Sequence, residues 1–122
     1  MAFTPTYIPY QRQQRFFQFF ATGATHLNES LDLSKPFEIC DIRLHLSVAH
    51  PSIEYLKARL SAIAGSAYNV MLVSTLASGT TDIFWQPSTP LVFGLSDQIL
   101  FSMMNSTGVV WGLCVTGWHI LP

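Results

Sequence analysis

A chain of 122 residues is long enough for one domain around one core. Only 11% of it is charged, and a net charge of −1 with no basic cluster excludes the electrostatic footprint of a nucleic-acid binder. The basic residues all lie at or before Arg59, and from Leu60 onward only Asp82 and Asp97 are charged. Much of that second half is therefore expected to be hidden against other protein.

Residues 1–10, MAFTPTYIPY, are aromatic and punctuated by proline. Pro5 and Pro9 disfavour helix and sheet interior and favour an extended arm. Phe3, Tyr7, Ile8 and Tyr10 would be costly to leave in water, so the arm is expected to dock, either on its own domain or on a neighbour, with the neighbour as the expectation adopted. No basic segment followed by an apolar run opens the chain, so no signal peptide is expected. The arm is taken as residues 1–14, and a single domain as residues 15–122.

Phe16, Phe17, Phe19 and Phe20 crowd one strand around Gln18. Aromatics on both faces imply cover on both sides, by the core and by something else. Phe16 and Phe17 therefore join the arm as candidate docking residues. Gly23 breaks or bulges this strand, and 25–33 reads as a loop or a weak strand. In 36–47, Cys40, Ile42, Leu44 and Leu46 alternate with Asp41, Arg43, His45 and Ser47, the pattern of a half-exposed antiparallel strand. Phe37 and Ile39 lie in the opposite phase, which predicts a bulge near Cys40.

Residues 52–65 support two readings. A helix would use Ser52 as N-cap, a stripe of Ile53, Leu56, Leu60 and Ile63, and Gly65 as its stop. A strand would alternate Leu56, Ala58, Leu60 and Ala62 against Tyr55, Lys57, Arg59 and Ser61. Local rules favour the helix; the surrounding strands favour the strand, which is the expectation adopted. Residues 68–76 form an apolar strand, 78–80 a turn, and 81–86 a short strand stopped by Pro87. Pro87 and Pro90 bracket a loop before the sheet resumes at 91–93. Asp97 is expected to cap the turn that follows Gly94, and Asp82 to cap the start of its own strand.

The last stretch, 98–121, reads as a closing β-hairpin. Ile99, Phe101 and Met103 point one way, and Leu100, Ser102 and Met104 the other. Asn105, Ser106, Thr107 and Gly108 supply turn chemistry. Val109, Trp111, Leu113 and Val115 then share one face, opposite the smaller Val110, Gly112, Cys114 and Thr116. The stretch is near bilayer length, but its polar interruption and alternation argue against a membrane span. The sum is an all-β fold: an antiparallel β-sandwich of jelly-roll type, of about eight strands, with an extended N-terminal arm.

No catalytic, cofactor or metal motif stands out. His26, His45, His50 and His119 are scattered without a completing carboxylate, so no metal site is expected and the histidines read as surface residues. Cys114 and His119 lack a third orienting group, and no acidic pair suits glycoside hydrolysis. Cys40 and Cys114 read as free, buried and inert thiols. Trp85, Trp111 and Trp118 open one alternative from another class, a carbohydrate-binding module that stacks rings on sugars. Their other reading is core or subunit interface.

The order IRLHLS, SIEYLKARLSAIAGSAYNVML, TDIFWQPSTPLVFGLSDQILFSM and VVWGLCVTG, within residues 37–117, resembles small β-sandwich structural proteins of tailed-bacteriophage virions. That resemblance implies a non-enzymatic virion protein present in many copies, cementing or decorating the capsid or sitting on the tail or its fibres. It also favours the strand over the helix for 52–65. The expected partners are the chain itself, as a homotrimer, and the major capsid or another virion protein. No functional residue carries over from the family.

Overall fold

Alternating apolar and polar side chains become nine strands in the computed structural model, which describes residues 14–33, 35–62, 65, 69–89 and 91–120. These are β1 (Gln14–Gly23), β2 (Leu27–Asp32), β3 (Phe37–Leu46), β4 (Tyr55–Ser61), β5 (Met71–Leu76), β6 (Asp82–Trp85), β7 (Leu91–Phe93), β8 (Gln98–Met103) and β9 (Trp111–Ile120). No helix occurs among the described residues, and 52–65 contributes the strand β4. Leu56 and Ala58 face the core while Tyr55, Lys57 and Arg59 face out, so period-2 burial overrides the local helix signals.

Two antiparallel sheets result. One has the order β1-β9-β3-β6, with β7 also on β3; the other has the order β2-β8-β4-β5. Successive strands therefore alternate between sheets over most of the chain, which is the jelly-roll arrangement of two interleaved Greek keys. β6 and β7 share the far side of β3, at Ile42–His45 and Phe37–Ile39 respectively. They act as one strand interrupted by the stretch between Pro87 and Pro90, which explains nine segments where about eight were expected. The core fills the space between the sheets with Phe37, Leu44, Leu56, Phe101, Leu113 and Val115 among its fully buried side chains.

The closing hairpin is not formed. β8 pairs with β2 and β4, whereas β9 pairs with β1 and β3 in the other sheet. Asn105–Gly108 thus turns a corner between sheets. The side-chain phases are as expected, with Ile99, Phe101 and Met103 buried and Trp111, Leu113 and Val115 buried. A corner and a hairpin demand the same turn chemistry and the same alternation, so the pattern alone does not separate them.

The bulge in β3 falls where the phase change predicts it, between Ile39 and Asp41 in the ladder with β9. It lets Phe37 and Ile39 share the core with Ile42, Leu44 and Leu46. Cys40 is the residue displaced, and it is half-exposed rather than inward. Beside it β9 passes without a side chain at Gly117. A Cβ there would collide with the Glu38 carbonyl oxygen of β3 and lie 2.7 Å from the Phe17 ring of β1. Three strands can meet closely at this point because the residue is glycine.

Candidate assembly surface

The outer face of the β1-β9-β3-β6 sheet is built by register. One row across it runs Phe16, Trp118, Glu38 and Val92. A second runs Gln18, Thr116 and Asp41, and a third runs Phe20, Cys114, Arg43 and Phe84. Phe16, Phe20, Phe84 and Val92 stand at the margins of the face, and Trp118, Thr116, Cys114, Glu38, Asp41 and Arg43 lie between them. Phe20 is 69% exposed, Val92 60%, Phe84 59% and Phe16 52%.

Small residues on β9 make the face concave. Gly112 and Cys114 floor a depression of about 680 Å³ walled by Phe20 and Phe84. The Arg43 guanidinium lies 5.2 Å from the Phe84 ring centroid, a cation–π contact that holds one wall. At the middle of the sheet, Thr116 Oγ1 donates to Asp41 Oδ1 at 2.8 Å and Gln18 Nε2 donates to Cys114 Sγ at 3.4 Å. The ring of Trp118 meets Phe16 edge to face at 5.3 Å.

Asp82 stands at the rim. Its carboxylate accepts from His45 Nδ1 at 2.8 Å and from the Thr81 hydroxyl at 3.1 Å, and these bonds, His45 first, hold it below the usual carboxylate range. Asp82 therefore serves a cross-strand pair rather than the turn cap expected of it. Asp97 does cap its turn, accepting from the Gly94 amide at 2.9 Å.

The other expected residues scatter. Phe3, Tyr7, Ile8 and Tyr10 lie outside the described residues. Phe16 faces out, and Phe17 turns inward against Phe37 and His119, with ring centroids at 6.1 and 5.2 Å. Adjacent residues of a strand point to opposite faces, so the two present to different sides of β1. The tryptophans share no platform: Trp111 is 3% exposed in the core, and its indole donates to the Thr25 carbonyl at 2.8 Å. Trp85 packs on the core, and Trp118 alone lies on the outer face.

Cys114 and His119 are not brought together. Cys114 lies on the outer face of β9 and His119 on the inner one. Burial pushes the Cys40 thiol up from its ordinary value; Glu38 adds to the shift, a Trp118 hydrogen bond opposes it, and Asp41 adds again. His50 is buried rather than superficial: its Nδ1 accepts from the Ser52 amide at 3.2 Å. Among the described residues, no cluster of three or more His, Cys, Asp or Glu could hold a metal ion. No helix among them is long and apolar enough to cross a membrane.

Phe20, Phe84 and Val92 are the outward residues that sequence reasoning did not single out. For Phe84 and Val92 the signal was present as strand phase, since each is flanked by residues that turn inward.

No family model matches the chain, and no curated protein matches it. Among solved structures it resembles the nucleoplasmin-like N-terminal domain of Drosophila FKBP39, at 14% identity and a TM-score of 0.48, over 88% of this chain and 90% of that one. It also resembles the Drosophila NLP core, described for pentamer formation and histone binding, at 12% identity and a TM-score of 0.44, over 83% and 96%. A third likeness is to infectious bursal disease virus, Gt strain, at 13% identity and a TM-score of 0.36, over 90% of this chain and 37% of that one. All three are distant, and the fold stands on the strand order itself.

Proposed function

We propose that this chain is a non-enzymatic structural subunit of a virion, a cement or decoration protein that self-associates and grips neighbouring shell protein. The observation that carries the reading is the outer sheet face, where Phe16, Phe20, Phe84 and Val92 stand exposed. Large exposed apolar side chains gathered on one sheet face, with a few polar groups set between them, support a protein–protein contact. A jelly roll suits the task, because its two-layer core is rigid and its sheet faces are broad. The aromatic residues 1–14 serve in this reading as a strap onto the neighbouring capsid protein.

Two measurements test it. Quantitative mass spectrometry of purified particles that carry the chain is expected to find a fixed, high copy number in step with the shell protein. A handful of copies would place it on the tail or a fibre instead, and absence from the particle would end the proposal. Deleting residues 1–10 is expected to weaken rebinding to stripped particles while leaving the circular dichroism spectrum intact. Equal binding by the truncated chain would remove the strap from the account.

A further inference from the structure

β1 is the outer strand of its sheet. β9 pairs with one side of it, and among the described residues no strand pairs with the other. Its ladder with β9 runs from Gln14↔Ile120 to Gly23↔Trp111 without a register shift, so the free edge is regular over ten residues. Proteins usually blunt such an edge with lysine, proline, a bulge or an inward charge. From Phe16 to Gly23 this strand, FFQFFATG, has none of them.

The centre of that strand, Phe16-Phe17-Gln18-Phe19-Phe20, reads the same in both directions. Antiparallel pairing reverses one strand against the other, so a palindrome is complementary to itself. We infer that two copies of this chain join edge to edge through β1, antiparallel, about a two-fold axis at Gln18. Phe16 then lies opposite Phe20 of the partner subunit, Phe17 opposite Phe19 of the partner subunit, and Gln18 opposite its own counterpart. In this register Arg15 falls opposite Ala21 of the partner subunit.

The side chains fit that register. Phe16 and Phe20 point outward and are largely exposed in the single chain; across the axis they form two cross-strand aromatic pairs that cover one another. Phe17 and Phe19 point inward and are only partly buried, so the pairing extends the core layer from one copy into the next. An isologous contact of this form is self-limiting: it makes a dimer and leaves no β1 edge to recruit a third chain.

The inference rests on the self-association proposed above, and the test separates the two. In a Cys40→Ser, Cys114→Ser background, chains with Phe16→Cys are mixed with chains with Phe20→Cys under mild oxidation. Opposed residues in an antiparallel pair are about 4.5–5.5 Å apart at Cα, within disulfide reach. Disulfide dimers are expected from the mixture and not from either variant alone. Light scattering is expected to give twice the 13.6 kDa chain mass for the wild type. Gln18→Lys sets two ammonium groups face to face and is expected to weaken the dimer roughly fivefold. An unchanged circular dichroism spectrum shows that the variant folds. An oligomer indifferent to Gln18→Lys, with no 16–20 link or with a different register, would overturn β1 pairing and leave assembly standing. A monomer at every concentration would overturn both.

Discussion

Asn105 is the polar residue on which one end of the sandwich depends. It is 3% exposed, and its side chain donates to the carbonyls of Val109 at 2.7 Å and Thr25 at 3.1 Å and accepts from the Val109 amide at 3.1 Å. Its own amide donates to His26 Nδ1 at 2.7 Å, and the Trp111 indole shares the Thr25 carbonyl. One amide thus ties the β8–β9 corner to the β1–β2 corner. Asn105→Ala would leave the buried Val109 amide without its partner, along with two carbonyls that lose a donor. The expected loss is about 3 kcal/mol, seen in a denaturant melt as a lower midpoint at unchanged slope. The sequence marked Asn105 only as a turn former. Its partners at Thr25 and His26 lie some eighty residues away, and no local pattern links the two segments.

Among elements, the close meeting of β1, β9 and β3 sets the tightest steric demand. Gly117→Ala would drive a Cβ against the Glu38 backbone, which has no rotamer through which to yield. It is expected to destabilise the fold by about 3 kcal/mol. Gly112→Ala, on the same strand with nothing within 4 Å of the added carbon, is expected to change stability by no more than about 0.5 kcal/mol. Thermal melts of the two variants, side by side, check the contrast. Strand phase and the Cys40 bulge were legible because each leaves a local mark in the order of apolar residues, whereas the existence of β4 went against its local helix signals and β2 left only a weak mark. Partner choice was not legible. Whether β8 returns along β9 or hands the chain to the opposite sheet depends on pairings with β4, β2, β1 and β3, all distant in sequence.

At the scale of the whole molecule, the apolar outer face and the uncharged centre of β1 make a common prediction. Contacts built from Phe16, Phe20, Phe84 and Val92 owe little to charge, so self-association is expected to persist or strengthen between low salt and 1 M salt. Sedimentation velocity across that range checks it, and dissociation on adding salt would point to a charge-driven contact elsewhere. Composition suggested that protein would cover much of this chain, and Phe16 and Phe17 were named together as candidate contacts without a face assigned to either. The surface itself emerged only when register set Phe20 beside Cys114 and Arg43 beside Phe84.

The place of β9 between β1 and β3 has a consequence for synthesis. During translation β1 and β3 emerge early, and the strand that must lie between them emerges after the other eight described strands. β3 can pair with β6 and β7 before then, but β1 has no partner in the sheet until β9 is made. Closing of this sheet waits for β9. Until it happens, the aromatic β1 stands in the nascent chain without its native partner, exposed to chaperones and to other nascent copies from the same messenger.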